Sequence, residues 1–249
     1  MDLTEKIAVV TGGNGGLGQR ICHALAGAGC NVAVVYAQSQ DAAEAVARSL
    51  AEKGVEAVAL QCDVTDPEQV QGLVEGVVAR FGRIDVLVND AAYNKWIPFD
   101  DLDALTYAEW NKILNVNLTG PMLCIKAVAP VMKQQGAGRI VNISSIAGLG
   151  PTGSSIAYAV SKAGLIHLTK CMAVGLAPEV QVNCIAPGYL EGTRATSNLA
   201  PEYRARAVDG TLLKRAASKD DIGDQVVAFC GTESITGQTV VIDSGRVFH

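Results

Sequence analysis

Two side chains that could do acid/base chemistry lie four residues apart, Tyr158 and Lys162 in the stretch Tyr-Ala-Val-Ser-Lys. On a helix, residues at this spacing share one face. A free phenol has a pKa of about 10, and a nearby ammonium favours its ionised form. The pattern therefore predicts an acid/base tyrosine whose pKa is lowered by Lys162. Because the same spacing is common on solvated helices, the rest of the chain must decide between the two interpretations.

Residues 11–18 form a glycine-rich turn, Thr-Gly-Gly-Asn-Gly-Gly-Leu-Gly, between the first predicted strand and the first predicted helix. Glycine lets the backbone approach a pyrophosphate closely, and the helix N-terminus offers free N–H groups to the anion. The spacing is best written Gly12-x-x-x-Gly16-x-Gly18. The alternative is a flexible glycine-rich loop, but the strand-turn-helix context favours a dinucleotide site.

Short β-branched runs alternate with amphipathic stretches along the whole chain. Strands are predicted at 6–11, 31–36, 55–60, 84–89, 139–144, 180–186 and 238–242. Helices are predicted at 17–28, 41–53, 67–80, 107–134, 155–176 and 219–230. Capping boxes are predicted at 65–68, 106–109 and 218–221. The alternation predicts an α/β fold: a doubly wound, seven-stranded parallel sheet of the Rossmann type, in a single domain over 1–249.

Two long stretches, 90–105 and 188–210, have no regular pattern, and loops of this length are usually functional. We expect the second to act as a substrate lid.

Composition excludes several classes of function. The 249 residues are 49% hydrophobic and carry a net charge of −5, which argues against nucleic-acid and anionic-membrane partners. No apolar run is expected to approach the ~20 residues that span a bilayer, and no signal-peptide pattern is present. Seven cysteines without a Cys-x-x-Cys pair indicate reduced thiols in a cytoplasmic protein. The three histidines, His23, His167 and His249, are too widely spaced to predict a metal site; His249 either frays or reaches a neighbouring subunit.

Together these motifs resemble those of the classical short-chain dehydrogenase/reductase family, over essentially the whole length. The matching positions are Thr11, Gly12, Gly16, Gly18, Asp63, Val64, Asn89, Ala91, Asn117, Ser145, Tyr158, Lys162, Pro187, Gly188 and Thr193. The chain departs from the family at Asp90 and Ala92, where the family usually has Asn and Gly.

The resemblance implies reversible hydride transfer between a nicotinamide and a carbonyl or alcohol. Tyr158 would protonate the substrate oxygen, Lys162 would assist it and bind the nicotinamide ribose, and Ser145 would hold the oxygen. Ser144 is the competing serine. Asn117 would expose a helix carbonyl or hold a water; it could equally be a buried structural amide.

The implied cofactor-binding residues span the chain. They are Gly12, Asn14, Gly16, Leu17, Gly18, Tyr36, Gln38, Ser39, Asp63, Val64, Asn89, Ala91, Tyr158, Lys162, Pro187, Gly188, Leu190 and Thr193.

The choice of nicotinamide cofactor depends on the end of the second strand, where an acid selects NAD and a base selects NADP. Residues 35–40, Val-Tyr-Ala-Gln-Ser-Gln, contain neither, and Gly15 stands where relatives that prefer NADP are often basic. Gln38 and Ser39 could bind either a 2′-phosphate or a hydroxyl. The cofactor is expected to be NADP(H) or NAD(H), with NADP(H) favoured because nothing acidic repels the phosphate.

The substrate should be a small carbonyl or alcohol bound by segments 93–99, 151–155 and 189–190. Overall similarity is greatest to 3-ketoacyl-acyl-carrier-protein reductases. However, Pro130 and Val174 stand where those enzymes present basic residues to their acidic carrier, which favours a free substrate such as a sugar, polyol or hydroxy acid. Trp96 and Phe99 are either substrate contacts or loop packing.

The family is usually tetrameric, so a homotetramer is expected, with helices 107–134 and 155–176 at the interface. A non-catalytic dinucleotide sensor is the main alternative from another class. It is disfavoured because Tyr158, Lys162, Ser145 and Asn117 are all present. An epimerase or dehydratase of nucleotide sugars would need a second substrate-binding region, for which the chain has little room.

Overall fold

A computed structural model describes residues 1–193, 196–197 and 201–248. Its core is a seven-stranded parallel sheet with the strand order β3-β2-β1-β4-β5-β6-β7. The strands are β1 (Ile7–Thr11), β2 (Asn31–Tyr36), β3 (Ala57–Gln61), β4 (Val86–Asn89), β5 (Gly138–Ile143), β6 (Val180–Pro187) and β7 (Thr239–Ile242). The doubly wound parallel sheet predicted from the sequence is confirmed.

Helices cover both faces of this sheet. They are α1 (Gly18–Gly27), α2 (Gln40–Ala51), α3 (Pro67–Phe81), α4 (Tyr107–Leu114), α5 (Gly120–Gln135), α6 (Ile156–Leu176), α7 (Pro201–Asp209) and α8 (Lys219–Gly231). Helices α1, α2 and α8 pack on one face, and α3 and α5 pack on the other.

The strands are apolar along their length because each face carries its own core. In β1, Val10 packs with Leu25 and Phe229 on the α1/α8 face, while Val9 packs with Val77 and Ile125 on the α3/α5 face. Successive side chains of a strand point to opposite faces, so a strand covered twice must be apolar at every position. This continuous pattern made the strands predictable to within two residues.

The prediction that the stretch 188–210 has no regular structure is wrong for its last part. Helix α7 occupies Pro201–Asp209. The segment, Pro-Glu-Tyr-Arg-Ala-Arg-Ala-Val-Asp, begins with a proline, which is favoured at the first helical position, and is rich in good helix formers. It lacks an apolar stripe, so periodicity alone does not reveal it.

Two of the three predicted helix caps are confirmed: Thr106 accepts from Glu109 N–H, and Ser218 accepts from Asp220 N–H and Asp221 N–H. The capping box at 65–68 is wrong by one residue. Asp66 caps α3 by accepting from Glu68 N–H and Gln69 N–H, which places Pro67 at the first helical position.

The predicted helix 107–134 is interrupted by a π-helical turn at Asn115–Thr119. In the described part of the chain, one helical run is long and apolar enough, by length and composition, to cross a membrane. This run is Tyr107–Gln135 and includes the π turn. The expectation that no stretch reaches this length is therefore wrong. In that run, 44% of the most apolar window is buried inside the protein, and Ile125 and Val128 pack in the α3/α5 core.

The sheet brings the carboxyl ends of its strands to one edge. Strand β1 lies between β2 and β4, so the chain winds outwards in both directions from the β1/β4 pair. In doubly wound sheets, ligands bind in the crevice at this point. The glycine-rich turn follows β1 and Asp90 follows β4, so both lie at the crevice.

Candidate active site

Tyr158 and Lys162 lie in the first turns of α6. Ser155 begins the helix by accepting from Tyr158 N–H at 3.1 Å. Lys162 is buried, and its Nζ donates to Ile143 O at 2.9 Å, where β5 ends. The Lys162 Nζ lies 5.7 Å from the centre of the Tyr158 ring. The predicted shared face is confirmed.

Burial raises the pKa of Tyr158, whereas the sequence predicted that Lys162 would lower it. The Ser145 side chain faces the phenol and acts in the opposite direction, and Asp90 raises the pKa further by its negative charge. The prediction was wrong because it considered the ammonium without the burial of the ring. At neutral pH the phenol in the protein alone keeps its proton.

Burial also lowers the pKa of Lys162 to about 8, although Asp90 and then Cys184 act in the opposite direction. The hydrogen bond to Ile143 O fixes the Lys162 ammonium at the end of β5, and the negative charge of Asp90 lies nearby. Burial is therefore the largest cause of the pKa shifts of both Tyr158 and Lys162, and neighbouring groups have smaller effects.

Ser144 and Ser145 have different surroundings. Ser144 is buried and donates to Lys162 O at 2.8 Å, so its hydroxyl is used to hold α6. Ser145 faces Tyr158, and its Oγ accepts from Ala147 N–H at 3.2 Å at the start of a short 3-10 turn. The geometry therefore favours Ser145 over Ser144 as the serine that meets a substrate oxygen.

Asn117 is fully buried in the π-helical turn. Its Oδ1 accepts from Tyr93 N–H at 2.8 Å, and its Nδ2 donates to Tyr93 O and to Ser161 Oγ. The amide is thus fully occupied in fixing the segment after β4 against α6. This arrangement fits the structural amide, and the alternative in which Asn117 exposes a helix carbonyl or holds a water stays a prediction.

The glycine-rich turn is closed too tightly for side chains at two of its positions. A Cβ at Gly18 would run into Gly12 O, so α1 begins directly against the end of β1. A Cβ at Gly16 would run into Gly192 O and would lie 3.2 Å from Thr193 Cα. The turn therefore faces the segment after β6 across a narrow gap. Leu17 is buried in the core beneath it.

The end of β2 is tied to this turn by Asn14, whose Nδ2 donates to Gln38 O at 2.9 Å and to Ser39 O at 3.3 Å. Tyr36 is buried, whereas the side chains of Gln38 and Ser39 are exposed. Their position beside the turn agrees with the predicted ribose site.

The neighbouring loop after β3 is tied to β2 as well. Cys62 N–H donates to Tyr36 O at 2.8 Å. Asp63 accepts from Thr65 N–H at 2.9 Å, and Val64 packs where a side chain at Gly120 would be. Asp63 and Val64 therefore lie beside the end of β2, as the family motif implies.

Asn89 contributes a free acceptor at the end of β4. Its Nδ2 donates to Asn142 Oδ1 at 2.8 Å, while its own Oδ1 is buried without a partner among the described residues. A buried polar atom without a partner is costly. The crevice thus combines a glycine cradle with a helix N-terminus, which fits the pyrophosphate of a dinucleotide, and Asn89 lies beside it at the end of β4.

The segment after β6 closes the other side of the crevice. Pro187 ends β6, and Gly188 N–H donates to Ile242 O at 2.9 Å. Leu190 is buried, and Thr193 Oγ1 lies 2.9 Å from Thr196 Oγ1. The predicted lid includes positions 194–195 and 198–200, which lie outside the described residues, as does His249.

The expected substrate segments contact each other, since Ile97 N–H donates to Ser154 O at 2.8 Å. Ile97 is buried, whereas Trp96 is 52% exposed, and Gly153 lies against the ring of Tyr158. No group of three or more His, Cys, Asp or Glu side chains that could hold a metal is found in the described part of the chain.

Two residues of the site were absent from the predicted set. Asp90 faces both Lys162 and Tyr158, and Gly192 packs against Gly16. Asp90 had a sequence signal, since an acid replaces the family's usual Asn directly after a buried strand. Gly192 had none, because its role depends on a contact distant in sequence.

Gly16→Ala should lower cofactor affinity by roughly tenfold or more, since the new methyl group runs into Gly192 O and forces the two sides of the crevice apart. Isothermal titration with ADP-ribose measures this loss. Gly27→Ala is the matched control at the end of α1, where an added Cβ has no neighbour within 4 Å. Equal affinity in the Gly16 variant would show that the crevice does not close on its ligand here.

Comparison with known proteins agrees with this geometry. Residues 6–204 match the family described as short chain dehydrogenase. A 3-oxoacyl-(acyl-carrier-protein) reductase of Staphylococcus epidermidis is 38% identical over 246 residues, covering 97% of this chain and 98% of the relative. A reductase with the same activity in its name, from Synechocystis, is 38% identical over 251 residues, 98% of each chain.

Solved structures are similar over the whole chain as well. A xylitol dehydrogenase with bound NAD⁺ superposes with a TM-score of 0.90 at 31% identity, over 98% of this chain and 100% of its own. A levodione reductase superposes with a TM-score of 0.90 at 30% identity, over 98% of each chain.

The chain belongs to the short-chain dehydrogenase family. It is an NAD(P)-dependent oxidoreductase that transfers a hydride between a nicotinamide cofactor and a carbonyl or secondary alcohol.

Proposed function

We propose that Tyr158 is the proton donor to a substrate carbonyl, with Lys162, Ser145 and Asn117 completing the catalytic set. The observation that carries this proposal is the meeting of Tyr158 and Ser145 at the crevice, one helical turn from the buried Lys162. The nicotinamide, when bound, supplies or accepts the hydride. Everything else in the reaction is positioning and proton movement by the chain's own residues.

Each catalytic residue has a separate task. Ser145 donates to the substrate oxygen and holds it beside the phenol. Tyr158, which is protonated at neutral pH because its pKa is raised, gives its proton to that oxygen as the carbonyl is reduced. The positive charge of Lys162 stabilises the phenolate that Tyr158 becomes when it gives up its proton. Asn117 fixes the backbone of Tyr93 and so the wall of the substrate site.

The cofactor is held by the glycine-rich turn and by the three loops that meet it. The N-terminus of α1 receives the pyrophosphate, and Asn14 aligns residues 38 and 39 for the adenine ribose. Asp63 and Val64 lie where the adenine would bind. Thr193, together with the buried Leu190, covers the crevice from the β6 side.

We favour NADP(H), since no acid at the end of β2 opposes a 2′-phosphate. Gln38→Arg should then lower the KM for NADPH by roughly fivefold and leave the KM for NADH nearly unchanged, because the guanidinium pairs with the phosphate. Steady-state kinetics with both cofactors measures the change. Gln238→Arg, which adds the same charge at an exposed position just before β7, is the control. An unchanged KM for NADPH would show that residue 38 does not face the 2′ position.

The proposed substrate is a free small carbonyl or secondary alcohol. Pro130 and Val174 are exposed, Val174 at 83%, and neither offers a charge to an acidic carrier protein. The segments at 93–99 and 151–155 present mixed apolar and hydroxyl groups without a clamp for a carboxylate or a phosphate.

A 3-oxoacyl thioester on a carrier protein is the second candidate, for two reasons. The curated relatives reported above bear that activity in their names. In addition, Lys133 bridges the ends of α5 and α6 by donating to Gly175 O, and Lys126 and Lys170 are exposed on the same helices, so basic groups lie near Pro130 and Val174.

A panel of sugars, polyols, hydroxy acids and 3-oxoacyl thioesters, followed by the absorbance of reduced cofactor, tests the substrate class. Each thioester is offered on the carrier protein and on a small thiol. A free substrate turned over faster than any thioester supports the first candidate. A carrier-linked thioester with a much higher kcat/KM than the small thioester supports the second. No turnover with either cofactor would contradict the proposed function.

We also propose a cytoplasmic homotetramer. All seven cysteines are free and six are buried, as suits a reducing compartment. An apolar groove between α3 and α5, lined by Val74, Leu123 and Val131, and the exposed Val174 on α6 provide surface for subunit contacts. Light scattering of the purified protein measures the subunit number directly.

A further inference from the structure

Asp90 lies directly beneath the glycine-rich turn. It follows β4, and its backbone N–H donates to Thr11 Oγ1 at 3.2 Å, as does the N–H of Ala91. Thr11 is the last residue of β1, so residues 90–91 and the start of the turn are joined by one hydroxyl group. Asp90 stands where related enzymes usually have Asn. A carboxyl group, which can carry a charge, therefore replaces a neutral amide at the crevice.

The Asp90 carboxyl group faces groups from two helices. From α1, the backbone N–H of Gly18 points at it, and the Cys22 thiol lies close enough for its pKa to be raised further by the carboxylate after burial. From α6, it faces Lys162 and Tyr158. Lys162 makes its hydrogen bond to Ile143 O and no salt bridge to Asp90 in the described part of the chain, so the carboxylate is attracted but not neutralised.

These surroundings leave the carboxyl group able to titrate near neutral pH. Burial raises the pKa of Asp90 to about 7, against the lowering effects of Lys162 and then of the Gly18 N–H. A neutral carboxylic acid and a carboxylate are therefore both populated under ordinary conditions.

The N-terminus of α1 stabilises one negative charge better than two. Its free N–H groups and positive dipole end favour negative charge, whether from a side chain or from a ligand phosphate. An ionised Asp90 points at the Gly18 N–H from below, and the proposed pyrophosphate would approach the same turn from the crevice. Asp90 is half-buried, and two negative charges at one helix end repel each other more strongly in a partly buried site than in water.

We propose that Asp90 is a positioning residue that links dinucleotide binding to proton uptake: its carboxylate stabilises the start of α1 while the crevice is empty and takes up a proton when a pyrophosphate binds there. The proposal rests on the proposed cofactor site and adds a residue to it. In the bound enzyme, a neutral Asp90 no longer competes with the Tyr158 phenolate for the positive charge of Lys162, whose Nζ stays on Ile143 O.

The sign of the effect follows from linkage. A ligand that prefers the protonated form of a group binds more weakly as the pH rises through the pKa of that group in the free protein. Affinity for a dinucleotide should therefore fall by roughly tenfold from about pH 6 to about pH 8, and binding at about pH 7 should take up about half a proton.

Isothermal titration of the full chain with ADP-ribose tests the proposal, because ADP-ribose has no group that titrates in this range. The proton uptake is obtained from buffers of different ionisation enthalpy. A parallel series uses 2′-phospho-ADP-ribose, whose own titration is common to all variants. The variants are Asp90→Asn, an isosteric amide that can still accept from Gly18, and Asp224→Asn, which removes the same charge at an exposed position on α8.

The wild type and the Asp224 variant should show the pH dependence and the proton uptake. The Asp90 variant should take up much less of a proton at about pH 7 and should bind ADP-ribose more tightly than the wild type at about pH 8. The smaller pH dependence that remains belongs to Lys162. A purely structural role for Asp90 would change affinity without changing proton uptake.

Two results overturn the inference while leaving the proposed function intact: pH-independent binding by the wild type, or proton uptake at about pH 7 that is equal in the Asp90 variant and the wild type. Failure of both probes to bind any variant at any pH would overturn the inference together with the proposed cofactor site.

Discussion

Tyr158→Phe should lower kcat by about a thousandfold, within the range that a positioned proton donor contributes. The substitution removes the hydroxyl group and leaves the ring, which packs beside Gly153 and below Ser145. Without the proton, the substrate oxygen must develop negative charge that only Ser145 can stabilise. The KM for cofactor should change little, because the glycine-rich turn is untouched. Steady-state kinetics on the best substrate of the panel gives both constants.

Tyr107→Phe is the matched control for this experiment. Tyr107 begins α4 and is 82% exposed, so the loss of its hydroxyl group should leave kcat unchanged. Equal rates for the wild type and the Tyr158 variant would remove Tyr158 from the mechanism. A wild type that binds cofactor but never turns over would instead favour the non-catalytic sensor.

Lys162→Met should lower kcat/KM by about a hundredfold or more, because the variant keeps the bulk of the side chain and removes its charge. Two effects combine: the phenolate formed at Tyr158 loses a nearby positive charge, and Ile143 O loses its donor. The wild type should also lose activity above about pH 8, where Lys162 gives up its proton according to its lowered pKa. The variant should lack this alkaline limb.

Lys170→Met on the same helix is the control, since Lys170 is exposed and two turns away. Thermal unfolding of both variants separates a folding defect from a catalytic one. A Lys162 variant that is folded, active and still shows the alkaline limb would assign the limb, and the catalytic charge, to another group.

Much of the fold could be predicted from the sequence because its elements are locally determined. The strands of a sheet covered on both faces are apolar at every position, and the helix caps at Thr106 and Ser218 are signalled by their own residues. Helix α7 escaped prediction because its propensity is good but its apolar pattern is absent. The π turn at Asn115–Thr119 escaped because it depends on how α4 and α5 pack against α6.

The candidate site divides in the same way. Spacing within one helix placed Tyr158 beside Lys162, and the glycine-rich turn was evident from its context. The distinction between Ser144 and Ser145 required the structure, since only the fold directs one hydroxyl to Lys162 O and the other to the phenol. The direction of the Tyr158 pKa shift was wrong because burial, which depends on the whole fold, outweighs the one charge visible in the sequence.

Asp90 illustrates a third case. Its departure from the usual Asn was visible in the sequence, but its meaning depends on the Gly18 N–H and on Lys162, which reach it from helices far apart in the chain.

The most direct test of hydride transfer with Tyr158 as proton donor uses reduced cofactor carrying deuterium at both positions on C4 of the nicotinamide, with the carbonyl that the panel shows to be reduced fastest. Mass spectrometry of the alcohol should find deuterium on the carbinol carbon for the wild type and almost no labelled product for Tyr158→Phe. Cofactor oxidation without label on that carbon, or equal labelled product from both proteins, would contradict the account.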